Sequence, residues 1–382
     1  MNKLKISAVL MASIAMTGCS GFFVGKSNAP VPAPIDASVN ASMVRTVWSA
    51  SGLGNSQETS LRFTLADGQG VIYVANANGS VSAIDSSSGQ KRWSTKVDAL
   101  YTGAATNGNL VFVGTQSGKL VALSAQDGKK VWSADLYGAA STSPVVADNR
   151  VIIRTIGGSV ESFDAQTGDQ SWAYMVQVPE IALRGGAAPV VVGKHLLVPT
   201  DLGLIGYLNV DTGAVVWGQK VGESRGGTAM ARIVDIDAEP VIDQNIAYIP
   251  VARSGVSAVA LNNGRKLWAT KAAGAYAGLA VDASRLYVAY DDGNVGALSK
   301  RTGLEEWKSE ALYARHLTNP VLINDRIVVG DNEGYVHVLD KHTGQRLGST
   351  KVAKSGFMPD VLPLNNDVIF QDHSGNVYRI TI

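Results

Sequence analysis

The side chains able to do chemistry are few and scattered in this chain of 382 residues. Its five histidines, His195, His316, His337, His342 and His373, stand at spacings that form no metal-ligand pattern. Asp235-Ile-Asp237 and Asp291-Asp292 pair carboxylates, but neither sits in a glycine-containing loop of alternating oxygen ligands, as calcium needs. No Gly-x-Ser-x-Gly elbow occurs, and no phosphate-cradling glycine loop runs into a helix. One cysteine permits no intrachain disulfide, zinc cluster or dithiol. The expectation is a protein that is not an enzyme and carries no cofactor or metal. What remains is a cation among apolar side chains, Ile181, Leu183 and Arg184, and the carboxylates Asp235 and Asp237. These residue types suit a contact with another protein. They equally suit an internal arrangement, with Ile181 and Leu183 anchoring a loop and Arg184 paired to Asp235 or Asp237. Lys+Arg total 33 against 32 for Asp+Glu, so no charge excess points to nucleic acid.

The cysteine has the clearest assignment. Lys3 and Lys5 precede a mostly apolar run, Ile6 to Met16. The run is shorter than the roughly 20 residues a spanning helix needs, and residues 1–18 read as a secretory signal peptide. It ends in Met16-Thr17-Gly18-Cys19, which resembles a bacterial lipobox. The resemblance implies cleavage before Cys19 and acylation of its thiol and new amino group. Several acyl chains anchor stably, since each buried CH₂ contributes about 0.8 kcal/mol. Ser20 is not Asp, which in enteric-type lipoproteins favours the outer membrane. Residues 19–40, with Pro30, Pro32 and Pro34, read as the lipidated cysteine and a flexible tether.

Residues 41–382 are built from one repeated unit, which must position everything above. Gly89-Gln-Lys-Arg-Trp93 recurs as Gly128-Lys-Lys-Val-Trp132, Gly168-Asp-Gln-Ser-Trp172, Gly213-Ala-Val-Val-Trp217, Gly264-Arg-Lys-Leu-Trp268 and Gly303-Leu-Glu-Glu-Trp307. A seventh copy, Gly344-Gln-Arg-Leu-Gly348, lacks its tryptophan. The Trp spacings of 39, 40, 45, 51 and 39 residues fit four-stranded propeller blades. Most units carry a β-rich run such as Val71-Ile-Tyr-Val74, a glycine turn and a third strand. An eighth unit, from Pro359 to Ile380, stops one strand short, while Val44-Arg-Thr-Val-Trp48 carries a strand and an orphan tryptophan at the other end. The expected fold is therefore all-β, an eight-bladed propeller closed by the N-terminal strand joining the last blade. Trp48, Trp93, Trp132, Trp172, Trp217, Trp268 and Trp307 are expected to be scaffold, each packing on a neighbouring blade. The inner strands open on Val145, Val190, Val241 and Val321, which predicts a channel without a strongly polar centre.

The form Ala83-Ile-Asp85-Ser-Ser-Ser-Gly89-Gln-Lys-Arg-Trp93 resembles the tryptophan-docking repeat of quinoprotein-type propellers. That group holds both quinone-dependent dehydrogenases and non-enzymatic binding propellers, so it speaks for fold rather than activity. Departures from the repeat are more telling. Trp132 to Pro144 spans 12 residues and Trp307 to Pro320 spans 13, but Trp172 to Pro189 spans 17 and Trp217 to Pro240 spans 23. Equivalent connections leave a propeller on one face, so two neighbouring blades carry enlarged loops side by side. Those loops read Ile181-Ala-Leu183-Arg184-Gly185 and Arg232-Ile-Val-Asp235-Ile-Asp237. With the lipobox and the eight units, they resemble the BamB family of outer-membrane assembly factors, whose loops read Leu-x-Leu-Arg-Gly and Arg-Leu-x-Asp-Val-Asp. The resemblance implies a monomeric, lipid-anchored subunit on the periplasmic face of the outer membrane, within the β-barrel assembly (BAM) complex. It also implies that Ile181, Leu183, Arg184, Asp235 and Asp237 bind POTRA domains of the BamA subunit. Unfolded outer-membrane proteins would be its clients. The alternatives are a propeller that captures a periplasmic ligand in its channel, or a quinoprotein-type enzyme, for which the vicinal cysteines and extra length are missing.

Overall fold

A computed structural model describes residues 30–35, 41–55, 62–176, 186–222, 235–270 and 274–382. Cys19, Ile181, Leu183 and Arg184 lie outside these residues. Runs such as Val71–Ala75 are apolar throughout and become second strands buried on both faces. Fourth strands such as Lys91–Lys96 alternate exposed and half-buried residues, as expected of an edge with one covered face. The result is eight antiparallel four-stranded sheets, each ordered from an inner to an outer strand. Blades one to seven end in outer strands Lys91–Lys96, Lys130–Asp135, Gln170–Met175, Val215–Lys220, Lys266–Ala269, Glu305–Ser309 and Arg346–Lys351. Blade eight takes Leu362–Leu364, Asp367–Gln371 and Val377–Thr381 from the C-terminus and Arg45–Ala50 from the N-terminus. Arg45 pairs with Thr381 and Ala50 with Val377, so the closing strand is expected from the sequence and present in the structure.

The tryptophans join blades. The indole N–H of Trp48 donates to Ser86 O at 3.0 Å, and those of Trp93, Trp132, Trp172, Trp217, Trp268 and Trp307 donate to the matching carbonyl one blade further on. Each ring lies flat against that blade's turn glycine. A Cβ on Gly264, for example, would stand 2.7 Å from the Trp217 ring, and its φ of +70° already favours glycine. Gly348 has a structural reason to differ. The next blade draws its outer strand from the N-terminus and so has no third-to-fourth turn glycine for a tryptophan to cover. The 3₁₀ turn Ala41–Met43 packs instead against Arg346–Lys351, the strand that contains Gly348.

Part of the expected tether is held. The Ala33 N–H donates to Tyr313 O, and Arg315 Nε donates to Ala33 O, both at 2.9 Å. Arg315 is buried and also pairs with Asp331 at 2.6 Å.

Candidate functional site

The connection between one blade's outer strand and the next blade's inner strand always leaves on the same face. The two long connections are rooted there, and their described ends are tied together. Ala187, just after the first, donates its N–H to Ile236 O at the end of the second, 3.0 Å away. Beneath them Arg154 pairs with Asp201 at 2.5 Å. Gly186 lies on that pair so closely that a Cβ would come within 2.9 Å of both side chains.

Asp235 and Asp237 sit at this root with 1% and 2% of their surface exposed. Asp235 O accepts from the Ala252 N–H at 2.9 Å. Burial, and next the charge of Asp235, push the Asp237 carboxyl up to about 7, against the pull of Arg62. Asp237 Oδ2 has no hydrogen-bond partner. These two aspartates therefore have little surface to offer a partner.

The channel mouth differs from the sequence expectation. Val145, Val190 and Val241 are half-buried and Val321 buried, as small apolar inner strands should be. Three residues just before the inner strands of blades one, five and eight, however, bring charge to it: Arg62, Glu239 and Asp360. Arg62, 8% exposed, pairs with Asp360 of blade eight and donates to Tyr276 O of blade six at 2.7 Å. Its guanidinium lies 5.3 Å from the centre of the Tyr276 ring. Burial disfavours the Arg62 charge, yet the carboxylates around it, Asp360 foremost, hold its pKa above the usual value. A cavity of about 380 Å³ opens here, lined by Arg62, Thr64, Glu239, Asn319 and Asp360 among others. Glu239 is open to solvent but walled in by blade rims. That enclosure, and next Asp360, push its carboxyl up to about 7. A second cavity of about 360 Å³ lies beside it, with Tyr276, Asp291, His316, Phe357 and His373 in its wall. Asp291 is raised by burial and held back by N–H donors from Tyr276 at 2.6 Å and Arg253 at 3.3 Å.

Sequence reasoning missed Arg62, Glu239, Tyr276 and Asp360. A signal existed for one of them, Glu239. Ser143, Ala188, Glu239 and Asn319 all precede a strand-opening proline, so aligning the units by that proline picks out the one charged member. Chemically, this face can hold charges and present loops. Among the described residues no group of three His, Cys, Asp or Glu side chains is placed to bind a metal ion.

A sequence profile of the family described as "Outer membrane protein assembly factor BamB" matches residues 77–309 and 291–382. The assembly factor BamB of Burkholderia pseudomallei is 32% identical over 385 residues, covering 99% of both chains. The crystal structure of BamB from Moraxella catarrhalis matches with a TM-score of 0.80 at 26% identity, over 89% of this chain and 100% of that one. A quinohemoprotein alcohol dehydrogenase of Pseudomonas putida HK5 superposes with a TM-score of 0.72 at 14% identity, over 89% of this chain and 76% of the enzyme. At that identity the likeness is one of fold alone.

Proposed function

Because this chain belongs to the family of the outer membrane protein assembly factor BamB, we propose that it is a non-enzymatic scaffold lipoprotein of the β-barrel assembly machinery. In this reading Cys19 carries the lipid that holds the propeller at the periplasmic face of the outer membrane. The connections into blades four and five dock a POTRA domain of BamA. Ile181 and Leu183 supply apolar contact and Arg184 pairs with a carboxylate of the partner. Asp235 and Asp237 act from below, fixing the loop that bears the contact surface. Through that docking the propeller supports the folding and insertion of β-barrel clients.

The observation that carries this reading is the Ala187–Ile236 hydrogen bond. It ties together the roots of the two connections whose sequence follows the family pattern, which supports reading them as one surface. The test is affinity purification of tagged protein from detergent-solubilised envelopes, beside an Arg184→Glu variant of equal thermal stability. The expected result is co-purification of a large barrel protein bearing POTRA domains with the wild type and its loss from the variant. Failure of the wild type to retain it refutes the assembly role. Equal retention by both refutes the loop assignment and leaves the partner standing.

A second reading, ligand capture in the channel, draws on the charged cavity around Glu239 and Asp360. It is weaker, because Arg62 already spans that mouth with both terminal nitrogens engaged, one by Asp360 and the other by Tyr276 O.

A further inference from the structure

The cavity of about 360 Å³ beside the channel mouth has one carboxylate in its wall, Asp291, and no lysine or arginine. The buried side chains of Tyr290, Leu317 and Phe357 and the exposed ring of Tyr276 give the wall an aromatic and apolar character. Asp291 is enclosed by blade rims yet solvent-accessible. Its carboxylate is held in a fixed seat. Oδ1 accepts the Tyr276 N–H at 2.6 Å and Oδ2 the Arg253 N–H at 3.3 Å, while its own N–H donates to Gly274 O at 2.9 Å. A Cβ on Gly274 would lie 1.9 Å from Oδ2, so the seat needs glycine there. This seat supplies no counter-ion. Among the described residues Asp291 forms no ion pair, and the Arg253 guanidinium acts on it less than the two backbone donors do.

The two tyrosines show what is missing. Arg62 lies 5.3 Å from the centre of the Tyr276 ring, with Asp360 as its counter-ion. Lys308 Nζ lies 5.2 Å from the centre of the Tyr290 ring and 3.3 Å from Asp292. Each cation is thus shared between an aromatic ring and a carboxylate. Asp291 shares a cavity with both rings and has no such cation. A second group in the same wall is also unmatched: Nδ1 of His373 is buried without a hydrogen-bond partner. Burial holds that ring below the usual histidine pKa, so it is neutral at pH 7.5 and able to bond a hydroxyl. A metal ion does not fit this chemistry. No group of three His, Cys, Asp or Glu side chains is placed to hold one among the described residues, and a hydrated ion would lose its water against Leu317 and Phe357.

We propose that this cavity binds a small organic cation, a substituted ammonium ion that carries a hydroxyl. Its charge lies between Asp291 and the rings of Tyr276 and Tyr290, its alkyl groups meet Leu317 and Phe357, and its hydroxyl bonds His373. The alkyl groups are what select this class, since they suit an apolar wall that a bare ammonium or metal ion does not. The site is built by blades six, seven and eight. It lies beside the cavity that Arg62 spans, and it does not depend on the docking assigned to the two long connections.

The test titrates the whole protein with choline and with 3,3-dimethylbutan-1-ol, an uncharged alcohol of the same shape. Binding is read at pH 7.5 from the methyl NMR signal of each compound. The expected result is saturable binding of choline, with the alcohol at least about tenfold weaker. Asp291→Asn, which keeps one oxygen for the backbone donors, weakens choline at least about tenfold. Tyr276→Leu weakens it about threefold or more, and Tyr276→Phe restores it. Tyr137→Leu, at an exposed tyrosine between blades two and three, leaves binding unchanged. The variants are first matched to the parent in melting temperature. Absence of saturable choline binding, equal binding of the alcohol, or indifference to both Asp291→Asn and Tyr276→Leu overturns the proposal. Displacement of choline by an end-blocked Gly-Gly-Lys-Gly-Gly peptide at lower concentration than choline itself requires also overturns it, in favour of a lysine side chain of a protein partner.

Discussion

Arg62 offers the sharpest test of how the channel mouth is held. Replacing it by methionine keeps most of the stem volume and removes the guanidinium. Three interactions go with it: the ion pair to Asp360, the 2.7 Å hydrogen bond to Tyr276 O and the contact with the Tyr276 ring. Breaking a buried ion pair by removing one partner costs about 3–5 kcal/mol, because the other charge stays behind. Two features of the site reduce that figure. The Asp360 side chain is 18% exposed, so water solvates part of its charge. Asp237 and Glu239 already hold their protons up to about 7, and without Arg62 they hold them higher still. We expect a loss of about 2–3 kcal/mol at pH 8 and roughly half that at pH 5.5, where both carboxyls are neutral in either protein. For a domain of this size, 3 kcal/mol lowers Tm by about 4 °C. The assay is thermal unfolding followed by circular dichroism at both pH values. A loss under about 1 kcal/mol at pH 8, or an equal loss at both, would show that Arg62 does not carry the charge balance of the mouth.

Two further substitutions test the buried carboxyl and the closure of the propeller. Asp237 keeps its proton to about 7 when folded but only to its ordinary 3.8 when unfolded, so its contribution to stability falls as pH rises from about 4 to 7. Asp237→Asn should flatten that part of the stability–pH curve and stabilise the protein at pH 8 by about 1–3 kcal/mol; an unchanged curve would contradict the assignment. Trp48→Ala removes the ring that seats the closing strand on Gly89 of blade one, and should cost about 3–5 kcal/mol in urea unfolding. A cost under about 1 kcal/mol would mean that the strand pairing alone closes the propeller.

The fold was legible in the sequence because each blade repeats the same local signals. The Gly-x-x-x-Trp spacing encodes a contact that recurs once per unit, and even the closing strand announced itself through an unmatched tryptophan, Trp48. The missing tryptophan at Gly348 was visible as an anomaly, but its reason required knowing that blade eight has no third-to-fourth turn. The two enlarged connections were likewise legible, since their length is counted directly in residues. The burial of Asp235 and Asp237 was not, because a residue type in a loop does not say which way the loop turns. The Arg62–Asp360 pair joins residues 298 positions apart that meet only when the ring closes. Sequence thus determined the unit, the number of units and the places where the repeat is broken. Tertiary structure decided which side chains meet at the axis and which loop residues are buried, because both depend on residues brought together by the closure and stacking of blades rather than by their spacing along the chain.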